Sequence, residues 1–300
     1  MNVTEADQGL RLDIFLYNFF KREKMLMSRT VLKKIIQKGL VKSNLSGHTL
    51  KPHYKVKIGE IFYINIPDKP VQELVSQDIA LKIVYEDDNL LIVDKPAGLV
   101  VHPGAGNSDN TLVNALLFHV KKLSDININR PGIVHRLDKD TSGLLAVAKD
   151  NATHLNLAEQ FKQHTVKRKY AAIVEGETEF DHGIIDIPVK RDKYNFKKMS
   201  VGFSKDAKFA KTSYKTIKRQ NGFSLLELEP YTGRTHQLRV HLLYLGHPIL
   251  GDKKYANMKG FPRLFLHAKT LGLIHPVKNK FIEFESELPE EFTLFLKRER

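Results

Sequence analysis

The chain has 300 residues, which favours two domains over one small core. With 42% hydrophobic and 27% charged residues, wholesale disorder is excluded. A formal charge of +14 points to a polyanionic partner, with nucleic acid ahead of an anionic membrane surface. Cysteine is absent, which excludes disulfides, thiolate zinc sites and cysteine nucleophiles and fits a reducing cytosol. The first nine residues are polar and acidic rather than signal-like, and no window nears the roughly 20 apolar residues of a membrane span, so a soluble cytoplasmic protein without a membrane role is expected.

The excess charge is concentrated. Residues 21–57 carry eleven Lys/Arg against one acid, and residues 190–219 carry eleven against two, so the remainder is net acidic. Leu10, Leu12, Phe15, Leu16, Phe19 and Phe20 recur at helical spacing. A second helix is predicted between Ser28 as N-cap and Gly39 as stop. Along it Val31, Leu32, Ile35 and Ile36 fall on one arc, and Arg29, Lys33, Lys34 and Lys38 on the other, which marks those four as candidate RNA-binding residues. Short extended pieces follow at 41–43 and 61–66. A polar, Pro-containing stretch over 68–80 reads as a linker, so the expected domains are 1–67 and 81–300.

From Leu81 short apolar runs alternate with turn signals. Strands are predicted at 83–85, 90–93, 144–148, 170–174, 213–218, 223–228, 264–266 and 281–284, with Asn221-Gly222 as a two-residue hairpin turn. Helices are predicted at 111–120, 153–164, 235–245 and 290–297. Hairpins with interspersed helices give an α+β domain on a mixed, largely antiparallel sheet.

Three loops are more polar and specific than a fold requires. The loop at 98–106 has three glycines but lacks Gly-Lys-Ser/Thr, so a nucleotide site is disfavoured, and tight backbone packing is the plain alternative to a functional loop. In His135-Arg136-Leu137-Asp138-Lys139-Asp140-Thr141-Ser142-Gly143, a carboxylate between Arg136 and Lys139 at the start of a strand can act as a nucleophile kept ionised by its neighbours. Taken alone, a turn-capping, salt-bridged aspartate fits equally well. In Tyr231-Thr232-Gly233-Arg234-Thr235-His236-Gln237-Leu238-Arg239-Val240-His241, the histidines are five apart with no acid between them, so no metal site is expected.

Taken together these blocks resemble the RluA/RluD family of RNA pseudouridine synthases. Lys95-Pro96-Ala97-Gly98, Lys169-Tyr170, Gly246-His247-Pro248-Ile249-Leu250-Gly251-Asp252 and Leu266-His267-Ala268 extend the likeness, in family order, over about 81–284. The N-terminal pattern, with Arg11-Leu12-Asp13 and Gly39-Leu40-Val41, resembles the αL RNA-binding motif of a small-subunit ribosomal protein. The resemblance implies an isomerase that breaks the N1–C1′ bond of a uridine and rejoins the base through C5, without cofactor or metal. It implies Asp138 as the essential carboxylate, acting at C6 or C1′, and Arg239 as its counter-charge. It further implies Tyr170 stacking on a flipped base, Arg136 taking the place of that base, and Leu266 as an apolar wall, with His135 and His102 ordering loops. The expected partner is structured RNA, ribosomal ahead of transfer RNA, and the expected state a monomer. A non-catalytic RNA-binding factor on the same fold is the rival, opposed by the joint presence of Asp138, Tyr170 and Arg239; a phosphate-cleaving hydrolase lacks an acid pair or metal cluster.

Overall fold

The structure is a computed structural model that describes residues 1–23, 27, 29–66, 74–104, 106–256, 258 and 260–297. It divides into two compact units, Met1–Val71 and Gln72–Arg300.

In the smaller unit a 3₁₀ turn, Glu5–Asp7, leads into helices α1 (Leu12–Arg22) and α2 (Arg29–Gln37) and a short antiparallel pair, β1 (Val41–Ser43) and β2 (Phe62–Ile64). The helical spacing buries Leu12, Phe15, Leu16 and Phe20 of α1 against Leu32, Ile35 and Ile36 of α2. Each such side chain contributes about 1.5–3 kcal/mol by leaving water. Gly39, at φ +71°, closes α2, and the N–H groups of Gly39 and Leu40 turn back to the carbonyls of Ile36 and Ile35. The N-cap expected at Ser28 lies outside the described residues.

The larger unit runs β3 (Lys82–Glu86), β4 (Leu90–Lys95), α3 (Leu112–His119), β5 (Ser142–Ala148), α4 (Asn151–Lys162), β6 (Lys167–Glu175), β7 (His182–Asp186), β8 (Val189–Arg191), β9 (Met199–Val201), β10 (Lys211–Gln220), β11 (Phe223–Pro230), α5 (Gln237–Tyr244), β12 (Leu266–Ile274), β13 (Phe281–Glu285) and α6 (Glu290–Leu296). Nine strands form one sheet in the order β3-β4-β5-β12-β6-β11-β10-β7, with β13 also on β12. Only β5 and β12 pair in parallel, so the sheet is mixed and mostly antiparallel, the α+β class expected. Every residue of β5 is buried: Leu145 and Val147 pack towards α3, and Leu144, Ala146 and Ala148 towards Leu157 of α4. The β10–β11 hairpin closes on Asn221 and Gly222, at φ +55° and +76°, as the sequence pair predicts.

Differences from expectation have local causes. The strand expected at 264–266 is Leu266–Ile274, whose apolar run is interrupted by His267, Lys269 and Gly272. His267 is buried because its Nδ1 lies 2.8 Å from the Ser142 hydroxyl on the neighbouring strand. Helix α4 starts earlier than predicted because Asp150 caps it, accepting from the Thr153 N–H at 2.8 Å. Strands β7, β8 and β9 are absent from the sequence-based expectation because they are short and carry no clean alternation. Of the expected linker, residues 68–73 lie outside the described set, whereas 74–80 are fastened to the larger unit. There the Asn114 side chain donates to the Val75 carbonyl at 2.8 Å, and the Gln77 N–H donates to the Asn114 carbonyl at 3.0 Å.

The close approach of β5 to β12 depends on Gly143. At φ +112° a Cβ there would lie 2.2 Å from the Ala268 carbonyl oxygen. Gly143→Ala is expected to cost about 3 kcal/mol through combined backbone strain and overpacking, read as a lower denaturation midpoint with unchanged slope.

Candidate active site

Asp138 stands in the turn that feeds β5. The backbone next to it, at Lys139, is held by Lys95, a fully buried side chain at the end of β4. Lys95 Nζ donates to the carbonyls of Pro96 and Leu99 at 2.8 Å and of Lys139 at 3.0 Å, so all three ammonium protons are used. Burial pulls this amine down to about 7, while Asp140 and Asp138 favour its charged form. The Gly98 N–H also donates to the Lys139 carbonyl, tying the two loops together. On the other side His135 Nε2 accepts the Ala146 N–H at 2.9 Å, and its ring stacks on Phe161 with centroids 4.3 Å apart. Burial first, and Arg168 second, hold His135 down at about 3, so it is the neutral acceptor this bond requires.

The facing wall is the first turn of α5. Gln237 ties the preceding loop: its Oε1 accepts from the Thr232 hydroxyl and the Arg234 N–H, and its Nε2 donates to the Lys211 carbonyl and Thr212. Residues 235 and 236, expected to be helical, instead complete the turn, with His236 in the left-handed region at φ +55°. Three residues after His236, the buried Arg239 makes a two-pronged ion pair with the buried Asp252, Nε to Oδ2 at 2.8 Å and Nη2 to Oδ1 at 2.7 Å. Its remaining nitrogen, Nη1, reaches Asp138 Oδ2 at 3.4 Å. Burial opposes the Arg239 charge, but the Asp252 bonds more than offset this and raise its pKa. Asp252 would likewise be lifted by burial, yet Arg239 holds it below the usual carboxylate range. Asp252 Oδ1 also accepts the N–H groups of Lys254 and Tyr255, both at 3.0 Å.

Two clefts meet at Asp138. The first, about 530 Å³, is walled by Tyr170, Leu266, Leu137 and Phe161 and rimmed by Arg168 and Arg234. The second, about 870 Å³, is lined by Lys139, Lys253, Lys254, Arg263 and His102. Arg136, Leu137, Asp138, His236 and Arg239 border both. Of the residues singled out in the sequence, Asp138, Arg239, Tyr170 and Leu266 come together here, and the exposed Arg136 stands at the shared rim. Burial raises the pKa of the Tyr170 hydroxyl, against Arg168, so the ring presents a neutral face. The structure adds Lys95, Asp252, His236 and Tyr255. The first three lie inside the quoted motif blocks, but nothing in their spacing distinguishes a scaffold role; Tyr255 carries no sequence signal. Among the described residues no group of three or more His, Asp or Glu is arranged to hold a metal ion. His241 instead faces Thr212 and the Ile187 carbonyl.

The smaller unit presents a separate basic face. Asp13, wholly buried, accepts from Arg11 Nε at 3.0 Å and Arg29 Nη2 at 2.8 Å, with Lys33 Nζ at 3.7 Å. Burial would raise the Asp13 carboxyl, but Arg29 and Arg11 hold it below its ordinary value. Arg29, Lys34 and Lys38 are exposed and Lys33 is half-buried.

Comparison with known proteins adds to this geometry. The sequence profile described as RNA pseudouridylate synthase matches residues 89–244, a span that holds Asp138, Tyr170 and Arg239. Ribosomal large subunit pseudouridine synthase D of Zymomonas mobilis is 43% identical over 99% of this chain and 96% of its own. The chain belongs to the RNA pseudouridine synthases of the RluA/RluD family. A Bacillus subtilis relative described as an uncharacterized RNA pseudouridine synthase is 41% identical over 97% of this chain and 94% of its own. Human RNA Pseudouridylate Synthase Domain Containing 1 superposes with a TM-score of 0.59 at 27% identity, covering 71% of this chain and 85% of that one. The protein is therefore an isomerase that acts on RNA, on a fold shared with solved synthase domains. Among the described residues, no helix of the synthase is long and apolar enough to cross a membrane.

Asp252→Asn leaves the buried Arg239 guanidinium with only its longer contact to the partly exposed Asp138. Loss of one partner of a buried pair costs about 3–5 kcal/mol, so this variant of the synthase should unfold at clearly lower denaturant than the parent.

Proposed function

We propose that the synthase converts uridine to pseudouridine in large-subunit ribosomal RNA, with Asp138 as the essential carboxylate. The observation that carries this reading is the partly exposed carboxylate of Asp138 at the junction of two clefts, 3.4 Å from a guanidinium that is itself buried and anchored. At about 4 Å and an effective dielectric near 20, such a pair is worth about 4 kcal/mol, part of which Asp252 cancels.

A flipped uracil enters the smaller cleft with its face on Tyr170 and its edge against Leu266, so an aromatic plane and an apolar wall replace the lost stacking. Arg136, at the rim, fills the gap left in the RNA; a guanidinium can stack on bases and bond a phosphate at once. Asp138, acting at C6 or C1′, promotes cleavage of the N1–C1′ bond. The base turns and C5 bonds to C1′, after which the C5 hydrogen leaves as a proton and N1 gains one. Composition is unchanged, so the net reaction consumes no oxidant, reductant or second substrate.

Large-subunit RNA is favoured because several near-full-length relatives are described as ribosomal large subunit synthases. The smaller unit serves as an αL-type RNA-binding domain, in which Arg29, Lys33, Lys34 and Lys38 meet phosphates. We read the protein as a cytoplasmic monomer, consistent with its lack of cysteine.

Asp138→Asn is expected to abolish tritium release from [5-³H]uridine-labelled ribosomal RNA while leaving RNA affinity nearly intact. Measurable turnover would remove Asp138 from the role. Pseudouridine mapping of total RNA, with and without the gene, should lose a signal in large-subunit RNA; a loss confined to transfer RNA would reassign the substrate. Replacing Arg29, Lys33, Lys34 and Lys38 together by Ala in the full chain should flatten the dependence of binding on salt. The slope should fall by about 0.7–0.9 for each phosphate no longer neutralised, and an unchanged slope would make this face mere solvated surface.

A further inference from the structure

We propose that His236 is a positioning residue for the reaction: its Nε2–H is a second donor to Asp138, and Tyr255 fixes the tautomer that carries it. The inference rests on Asp138 being the reacting carboxylate. Tyr255 Oη lies 2.8 Å from the Met199 N–H and 2.6 Å from His236 Nδ1. A backbone N–H can only donate, so Oη accepts from Met199 and its one proton is left for Nδ1. The imidazole proton is then on Nε2, the nitrogen that faces Asp138 Oδ2 at 3.9 Å.

Charge states agree with this assignment. Burial holds His236 down at about 4 against the pull of Asp138, so the ring is neutral and has one N–H to place. Burial pushes the Tyr255 hydroxyl up to about 12, so it keeps its proton. The distance of 3.9 Å exceeds a hydrogen bond, and Arg239 at 3.4 Å is also long. Catalytic contacts commonly tighten only when substrate is bound, and closure by less than about 1 Å would make both bonds.

The backbone supports the same conclusion. His236 sits at φ +55° and ψ 19°, immediately before α5, in a left-handed conformation that residues other than glycine rarely adopt. That bend sets the ring edge-on to Tyr255, with centroids 5.5 Å apart, on the border of both clefts. Met199, the far end of the relay, belongs to β9 beside the basic segment that contains Lys197 and Lys198. The relay thus runs from a basic hairpin through two hydrogen bonds to an imidazole whose Nε2 stands 3.9 Å from the carboxylate.

Two substitutions separate the donor from the bend. Asparagine tolerates the left-handed region best but cannot reach Asp138, whereas glutamine strains the backbone yet places an amide N–H near the position of Nε2. Single-turnover tritium release from labelled ribosomal RNA, filter-binding affinity and melting temperature are measured for full-length variants. His236→Asn is expected to slow turnover by about 10- to 100-fold, the worth of one hydrogen bond to a charged group, with RNA affinity unchanged. His236→Gln should recover most of that loss despite its lower melting temperature. Tyr255→Phe, which keeps the ring and removes Oη, should slow turnover with affinity intact. Full-speed turnover by His236→Asn or Tyr255→Phe, or a His236→Gln no faster than His236→Asn, overturns the relay. Asp138→Asn assayed alongside separates the two readings. If it turns over, the carboxylate assignment fails; if it is inactive while His236→Asn runs at full speed, only the relay fails.

Discussion

The site is organised around one buried ion pair. Arg239 and Asp252 are both removed from water, and each ion alone would cost several kcal/mol. The fork-on-fork geometry at 2.7 and 2.8 Å compensates that cost and leaves one guanidinium nitrogen unassigned by the pair. That nitrogen is the one turned to Asp138. The pair therefore fixes the direction of a charge more than it adds net charge. Asp252 also orders the next turn through two backbone N–H groups, and one of those belongs to Tyr255, whose hydroxyl meets His236. A single carboxylate thus sets both groups that face Asp138.

The fold is legible where burial follows period. Helices α1 and α2 repeat apolar residues every three or four positions, β5 is a continuous apolar run, and Asn221-Gly222 can hardly be other than a hairpin turn. Legibility fails where tertiary partners override composition. In β12 a histidine, a lysine and a glycine read as loop, yet the strand lies at the centre of the sheet because Ser142 and the close approach at Gly143 make room for them. Residues 74–80 read as linker from local polarity, yet Asn110, Asn114 and His119, more than thirty positions on, secure them.

The candidate site divides in the same way. Asp138, Tyr170, Arg239 and Leu266 are readable through family resemblance, since no spacing rule brings residues this far apart in sequence to one cleft. Lys95 and Asp252 are visible as letters in those blocks but not as scaffold, because their value lies in hydrogen bonds to backbone that only folding creates. Tyr255 cannot be read at all: its role depends on a phenolic oxygen placed between a strand N–H and an imidazole from another element.

The two units solve a common electrostatic problem by one device. A chain of +14 must present cations to RNA without letting them repel one another into disorder. In the smaller unit the wholly buried Asp13 gathers Arg11, Arg29 and Lys33, whose side chains remain about half exposed. In the larger unit Asp252 does the same for Arg239, but there the cation is buried too. The difference in burial fits the two tasks proposed for them. A half-exposed cation can shed counterions to a phosphate and contribute affinity, whereas a buried, paired one holds a fixed direction towards a neighbouring carboxylate. Basic composition alone draws no such distinction; the depth at which each aspartate holds its arginine does.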